Sequence, residues 1–132
     1  MTLSEINVLV GESDWAWPRA IENIFAPRGV NSIVAANATD ALDIISSRRI
    51  HTAIVDMDSE QASGLSVIRI IHGYYPLLPC ILVSSSGQQG VLAKALELDV
   101  FSVINKPVDM AILLDQLNRL FTRKYRSMIF SS

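Results

Sequence analysis

The 132-residue sequence predicts a doubly wound α/β fold, in which a five-stranded parallel sheet carries helices on both faces. Three observations predict it. Half of the residues are hydrophobic and only 18% are charged, which fills a core and excludes a disordered chain. Five short apolar runs do not alternate with polar residues, which is typical of parallel strands buried on both faces. A segment with helical spacing of apolar residues follows each run.

The predicted strands are four or five residues long, too short for helices, and rich in β-branched side chains. Parallel strands need right-handed crossovers, and five βα units are too few for a closed eight-unit barrel. An open sheet with helices on both faces is therefore expected. The predicted strands are 6–10, 32–36, 52–55, 80–83 and 101–104, and the helical spacing falls within 17–25, 41–45, 65–71, 91–96 and 113–121.

Polar residues beside the helical segments predict where the helices begin and end. An N-capping side chain accepts hydrogen bonds from the first free backbone amides of a helix. A glycine after the last turn accommodates the left-handed residue that ends many helices. The predicted N-caps are Asp14, Thr39, Ser63 and Asp109, and Gly29 is predicted to end the first helix.

Length, charge and cysteine content restrict the setting of the protein. The chain is predicted to be one domain over 1–132, with its core at 6–121 and a basic tail at 122–132. We interpret that tail as a solvated helix end or as the start of a linker. A formal charge of −2 argues against direct nucleic-acid binding. Without a membrane-length apolar stretch, and with a single Cys80 expected to be a buried thiol, the sequence indicates a cytoplasmic protein.

Polar residues follow four of the five predicted strands. Ligands of open α/β sheets bind at the carboxyl ends of the strands, so these residues are expected to converge. Carboxylates there suit a hard cation such as Mg²⁺, and a carboxylate can also be the nucleophile that captures a phosphoryl group. A lysine and a serine hydroxyl with its neighbouring amide bind phosphoryl oxygens. The residues are Gly11-Glu12-Ser13-Asp14, Asp56-Met57-Asp58, Ser84-Ser85-Ser86 and Asn105-Lys106-Pro107.

Over 6–121, the order and spacing of these residues resemble the receiver domain of two-component response regulators. Asp56 lies eight residues before Gly64-Leu65, like the phosphoacceptor aspartate of that family. At the end of the fourth strand, Ser84 and Ser85 match the family's Ser/Thr and the small residue after it. Lys106-Pro107 matches the pair that follows the fifth strand.

The resemblance implies a role for each matched residue. Asp56 is expected to accept a phosphoryl group from a histidine kinase or a phosphotransfer protein, and Lys106 to contact that group. Ser84, with Ser85 beside it, is expected to follow the phosphoryl group during switching. The bond before Pro107 is expected to be cis, which proline makes accessible. The family also implies the flavodoxin-like strand order 2-1-3-4-5, and its helix 4, strand 5 and helix 5 often form a homodimer face.

The expected Mg²⁺ site departs from the family pattern. Receivers usually carry two adjacent acidic residues after the first strand, whereas this chain has Glu12-Ser13. Asp14 falls one position too late to replace the missing acid. We therefore expect Glu12, Asp56 and Asp58 as metal ligands, with the Asp58 side chain restoring charge at an altered or weakened site.

The expected switching residues depart as well. The aromatic residue that receivers carry in the fifth strand is Val103 here. Phe101 lies two positions earlier, and thus on the same strand face, and is a candidate substitute.

Alternative functions fit parts of the pattern. One alternative is a pseudo-receiver, a protein-interaction module that is not phosphorylated. It is favoured by Ser13 at a normally acidic position and by Val103 at the aromatic position. An aspartyl-phosphate phosphatase of the haloacid-dehalogenase type would also use Asp56, Asp58 and Lys106. Its Asp-x-Asp would belong to the first strand instead of the third, and no acidic pair follows the lysine, so we expect a switch and not an enzyme. His51 and His72 lack metal-ligand spacing and are expected to be surface or satisfied residues.

Overall fold

The computed structural model describes residues 5–11, 17–58, 63–85 and 89–131, with backbone alone for 17–20 and 89–91. Its parallel sheet has the order β2-β1-β3-β4-β5, which confirms the predicted topology. The helices begin and end close to the predicted segments. The strands are β1 (Ile6–Gly11), β2 (Val30–Ala35), β3 (Thr52–Asp56), β4 (Cys80–Ser85) and β5 (Ser102–Lys106), and the helices are α1 (Trp17–Phe25), α2 (Ala38–Ser47), α3 (Gly64–Tyr74), α4 (Gln89–Glu97) and α5 (Met110–Tyr125).

The sheet separates two hydrophobic clusters, which explains why the strand sequences do not alternate. Every residue of β3 is buried, and every residue of β4 except the last, Ser85, is buried as well. The first cluster packs α1 and α5 against one face, around Phe25 and Phe121. The second packs α2, α3 and α4 against the other, around Ile68 and Ile71. Within the described residues, no helix is long and apolar enough to cross a membrane.

The strand ends differ from prediction by one or two residues, and two of the strand starts differ as well. The edge strand β2 begins at Val30, two residues earlier than expected, because polar Asn31 pairs with Asn7 across the ladder. The side-chain amide of Asn31 also donates a 3.0 Å hydrogen bond to the side-chain oxygen of Asn7. β5 begins at Ser102 and not at Phe101. Polar residues at an edge or a strand start thus join the sheet without an apolar signal.

The capping predictions are confirmed at two helices and wrong at one. Ser63 and Asp109 cap α3 and α5 as predicted. α2 is capped by Asn37 instead of Thr39, since the Asn37 side chain accepts the Asp40 amide at 2.8 Å. The Asp40 carboxylate in turn accepts the Ala36 amide at 2.9 Å, so the two side chains cap reciprocally. Asp14 lies outside the described residues.

Beyond α1, a short 3-10 turn over Ala26–Arg28 ends at Gly29, whose φ of 71° is left-handed. The first helical segment therefore ends where the sequence predicts.

The segment after α5 folds back onto the protein. Arg126, with φ of 51°, ends the helix, and Arg123 and Lys124 are exposed, as expected of a solvated helix end. Phe130, however, is 3% exposed, and its ring centroid lies 5.6 Å from that of Phe25 and 5.0 Å from that of Phe121. Residues 127–131 thus complete the first hydrophobic cluster.

The two histidines occupy different environments. His51 is 1% exposed, so it is not a surface residue; its Nδ1 accepts the Asn7 amide at 3.2 Å. Its Nε2 has no hydrogen-bond partner among the described residues. The ring nitrogens of His72 lie 2.9 Å from the carbonyl oxygens of Leu98 and Leu78, so His72 is satisfied as expected.

The single cysteine is a buried thiol, as the sequence predicts. Cys80 begins β4 and is 0% exposed, and burial raises the pKa of its thiol to about 12. A thiol in this environment is a packing residue and not a nucleophile.

Candidate functional site

The carboxyl ends of β3, β4 and β5 bring the predicted site residues together. Asp56 is the last residue of β3, Ser84 and Ser85 end β4, and Lys106 ends β5. The strand register pairs Asp56 with Val83 and Ser85 with Lys106. We call this side of the sheet the carboxyl edge. Because the ladders are continuous, the backbone alone fixes the relative heights of these side chains.

A buried ion pair forms the centre of the site. Asp56 is 3% exposed, and one of its carboxylate oxygens lies 2.8 Å from the Lys106 Nζ. The same oxygen accepts the backbone amide of Asp58 at 2.8 Å. A buried carboxylate is stable only when paired and hydrogen-bonded, and the turn after β3 and the end of β5 supply both interactions.

Asp58 connects this pair to β4. Its Oδ2 lies 3.1 Å from the Lys106 Nζ and accepts both the Ser85 amide, at 3.2 Å, and the Ser85 hydroxyl, at 2.8 Å. The side chain is 31% exposed. The sequence places Asp58 near the site but gives no indication of these partners. The structure directs its carboxylate toward cationic and hydrogen-bond donors.

The charges of the site shift two pKa values in opposite directions. Partial burial acts to lower the pKa of Lys106, but the hydrogen bonds and charges of Asp56 and Asp58 outweigh it and raise that pKa above its usual value. For Asp58, desolvation acts to raise the pKa, whereas the Ser85 and Lys106 contacts lower it below the usual range of an aspartate. Both groups are therefore charged at neutral pH.

Gly64 explains the spacing between Asp56 and the start of α3. A Cβ at this position would lie 2.7 Å from the Asp56 carbonyl oxygen and 2.8 Å from the Met57 Cα. The Gly64 amide also donates a hydrogen bond to the Met57 carbonyl at 3.2 Å. Only glycine lets the helix start this close to the backbone that carries Asp56, a requirement that the Gly64-Leu65 motif signals.

The predicted switching residues do not form one contiguous contact. Ser84 is 2% exposed, and its hydroxyl donates to the Ser85 carbonyl at 3.3 Å. Val103 packs against the second hydrophobic cluster, whereas Phe101 packs against the first, below the Arg123 guanidinium at 5.6 Å. The expectation that Phe101 shares a face with Val103 is wrong, because Phe101 precedes β5 and strand alternation does not extend to it.

The bond between Lys106 and Pro107 is cis, as the resemblance implies.

The oxygen donors at the carboxyl edge fit a hard divalent cation in kind but are incomplete within the described residues. Asp56 and Asp58 supply carboxylates, yet the Asp58 oxygen faces Ser85 and Lys106. The described ranges hold no group of three His, Cys, Asp or Glu side chains arranged for a metal. Glu12 and Ser13 lie outside the described residues, so the three-carboxylate site stays a prediction.

The order of these residues along a five-stranded sheet matches a known family. A family model of the response regulator receiver domain covers residues 8–118. The chain belongs to that family. This receiver is therefore a module of two-component signal transduction.

Two relatives of the receiver are much longer proteins. An NtrX-like response regulator of Rickettsia typhi is 31% identical over 119 residues, which make up 89% of this chain and 25% of that protein. The Regulator of RpoS of Escherichia coli K12 is 27% identical over 124 residues, 94% of this chain and 34% of that protein. The receiver thus spans a quarter to a third of the length of these curated relatives.

Solved structures agree with the fold. A response regulator receiver protein of Pseudomonas putida superposes with a TM-score of 0.80 at 27% identity, over 89% of this chain and 99% of the other. A signal receiver domain of an HD domain-containing protein from Pseudomonas fluorescens Pf-5 gives a TM-score of 0.83 at 23% identity, over 93% of this chain and 99% of the other. The second likeness bears on the fold alone.

Proposed function

We propose that this receiver is a phosphorylation-controlled switch that accepts a phosphoryl group on Asp56 from a histidine kinase or a phosphotransfer protein. The observation that carries the proposal is the 2.8 Å contact between a buried Asp56 carboxylate and the Lys106 ammonium at the carboxyl edge. The Asp56 carboxylate, beside the Lys106 ammonium, is the proposed nucleophile.

In the proposed reaction, a carboxylate oxygen of Asp56 attacks the phosphorus of a phosphohistidine. The new O–P bond gives an acyl phosphate as the P–N bond breaks, and its electron pair stays on the imidazole, which takes a proton from solvent. The Lys106 ammonium then binds a phosphoryl oxygen in place of the Asp56 oxygen. The Ser85 amide, with the Ser84 or Ser85 hydroxyl, is the proposed second contact of the phosphoryl group.

We further propose that Mg²⁺ assists this step, held by Glu12 and Asp56. The bound cation would offset the negative charge of the phosphoryl group as it approaches two carboxylates. Asp58 joins these ligands only if its carboxylate leaves Ser85 and Lys106. Because Ser13 stands where the family usually carries a second acid, a pseudo-receiver without metal is the second candidate function.

We propose that the face formed by α4, β5 and α5 is the surface that binds partners. A second copy of the receiver is one candidate partner. Leu92 and Leu96 lie one turn apart on α4 and are 56% and 72% exposed, and Ile112 of α5 is 50% exposed. Exposed apolar residues of this kind favour a protein contact. The free, buried Cys80 agrees with a reducing, cytoplasmic setting.

Incubation with acetyl phosphate, with and without Mg²⁺, tests the proposal by intact mass. Wild type is expected to gain one phosphoryl group with Mg²⁺, and Asp56→Asn none, since the amide is not a nucleophile. Size-exclusion chromatography of the same samples tests the dimer face. Phosphorylation of Asp56→Asn would contradict the assignment. A wild type that stays unmodified also with a phosphorylated histidine donor would make the pseudo-receiver the correct function.

A further inference from the structure

One oxygen of Asp58 accepts three polar donors at the carboxyl edge. They are the Ser85 amide, the Ser85 hydroxyl and the Lys106 ammonium, at 3.2, 2.8 and 3.1 Å. The donors come from two strands, β4 and β5, whereas Asp58 belongs to the turn after β3. A single anionic oxygen, in the turn after β3, thus interacts with donors at the ends of β4 and β5.

These donors have the chemistry of an oxyanion site. An ammonium, a backbone amide and a hydroxyl aimed at one point bind an oxygen of a phosphoryl group as readily as a carboxylate oxygen. The Lys106 ammonium also contacts Asp56, so this point lies beside the proposed phosphoacceptor. The carboxylate of Asp58 thus occupies donors that we propose for a phosphoryl oxygen on Asp56.

We infer that Asp58 is an internal competitor of the phosphoryl group, whose carboxylate must release Ser85 and Lys106 before Asp56 can be phosphorylated. The inference rests on the proposed function of Asp56 and adds a residue that sets the rate of that reaction. Asp58 is 31% exposed and lies in a turn, so its side chain has room to rotate toward solvent. Its backbone amide, bonded to Asp56, stays in place when the side chain moves.

Asp58→Ala tests the competition. With saturating Mg²⁺ and acetyl phosphate, the variant is expected to be phosphorylated about three to ten times faster than wild type, the range expected for losing a partly exposed ion pair with charged hydrogen bonds. Asp58→Asn keeps an acceptor for Ser85 but loses the charge, and an intermediate rate is expected. Asp115→Ala is the matched control. It removes the same charge from an exposed pair with Arg119 on α5 and should leave the rate unchanged.

A second readout does not depend on phosphorylation. Exchange of the Ser85 amide proton, followed by NMR, is expected to accelerate in Asp58→Ala, because the variant removes its acceptor. Fluoroberyllate, an analogue of the phosphoryl group, is expected to bind Asp58→Ala more tightly than wild type by a similar factor.

The outcomes separate the two proposals. Equal or slower phosphorylation of Asp58→Ala, with Asp56-dependent modification of wild type, overturns the competition and leaves the function of Asp56 intact. Unchanged exchange at Ser85 overturns the contact itself. If neither wild type nor Asp58→Ala accepts a phosphoryl group or fluoroberyllate, the proposed function fails and the competition fails with it.

Discussion

The two ends of the sheet both concentrate polar groups, but they stabilise them differently. At the carboxyl edge, Asp56, Asp58 and Lys106 form ion pairs, in which Lys106 and Asp58 are 20% and 31% exposed. At the opposite side, which we call the amino edge, the side chain of Asn7 donates to the Arg49 carbonyl at 2.9 Å and its backbone amide donates to His51. Asn7 and His51 are nearly inaccessible to solvent.

This difference separates a site that can exchange partners from one that cannot. The contact between Asp58 and Lys106 is partly exposed, and ion pairs of this kind are individually weak, so another anion can replace the Asp58 carboxylate. Where neutral hydrogen bonds are buried, no water molecule can take the place of a lost partner. Breaking one therefore leaves an unsatisfied polar group. Tyr125 strengthens the amino edge by donating from its hydroxyl to the His51 carbonyl. The receiver thus has a replaceable network at one edge and a permanent one at the other.

The largest effect is expected at the amino edge from Phe130→Ala. Removing a buried phenylalanine costs about 3–5 kcal/mol, and the lower end is expected because a tail can detach and let water enter. Met128→Ala, in the same segment but 65% exposed, should change the free energy of unfolding by less than about 0.5 kcal/mol. Urea denaturation measures both. Equal values for the two variants would show that the tail does not pack against Phe25 and Phe121.

Gly64→Ala tests the carboxyl edge with a smaller effect. The added methyl would meet the backbone of Asp56 at 2.7 Å, and overpacking of this kind destabilises by about 1–3 kcal/mol. Gly73→Ala is the matched control in the same helix, since its Cβ meets nothing within 4 Å. It should stabilise by about 0.5–1 kcal/mol. Thermal and urea unfolding that failed to separate the two variants would contradict the close approach at Gly64.

The smallest effect is a pH dependence from His51. Burial first, and the charge of Arg49 second, lower the pKa of His51 in the folded protein below its usual 6.5, although the hydrogen bond with the Asn7 amide and the charge of Glu5 oppose this. The unfolded chain then binds more protons, so the stability contribution is complete above pH 6.5 and is lost as pH falls through the folded pKa. The free energy of unfolding should fall by up to about 1.4 kcal/mol per pH unit across that window.

His51→Asn isolates this contribution. Asparagine keeps an acceptor for the Asn7 amide but does not titrate, so the difference in stability between wild type and variant should shrink from pH 7 toward pH 5. A constant difference across that range would exclude His51 as the source.

The sequence predicted the five strands and the convergence of the site residues because both depend on local signals, whereas the strand order came from the family resemblance. Apolar runs place the ends of β3, β4 and β5, and a residue that follows a buried strand must lie at the carboxyl edge. Asp56, Ser85 and Lys106 therefore meet as expected. The cis bond before Pro107 came from the family resemblance alone.

The errors have different physical causes. Both Asn37 and Thr39 are good caps, and the return contact from Asp40 to Ala36 selects the earlier one. The direction of the Asp58 side chain depends on Ser85, 27 positions away. Phe101 was assigned to the wrong face because alternation was extended past the start of β5. Spacing along the chain carries no information about the partners of Asp58.

The ring of His72 has a mechanical consequence for α4. It bridges the carbonyl of Leu98, just after α4, to that of Leu78, just before β4, and so braces one end of the helix against the sheet. The Val100 amide adds a hydrogen bond to the Ala95 carbonyl at the same end. Because these contacts hold this end, we expect a movement of α4 to be a swing about a pivot near Leu98. The amplitude is then greatest at the other end of the helix, and small at the pivot itself.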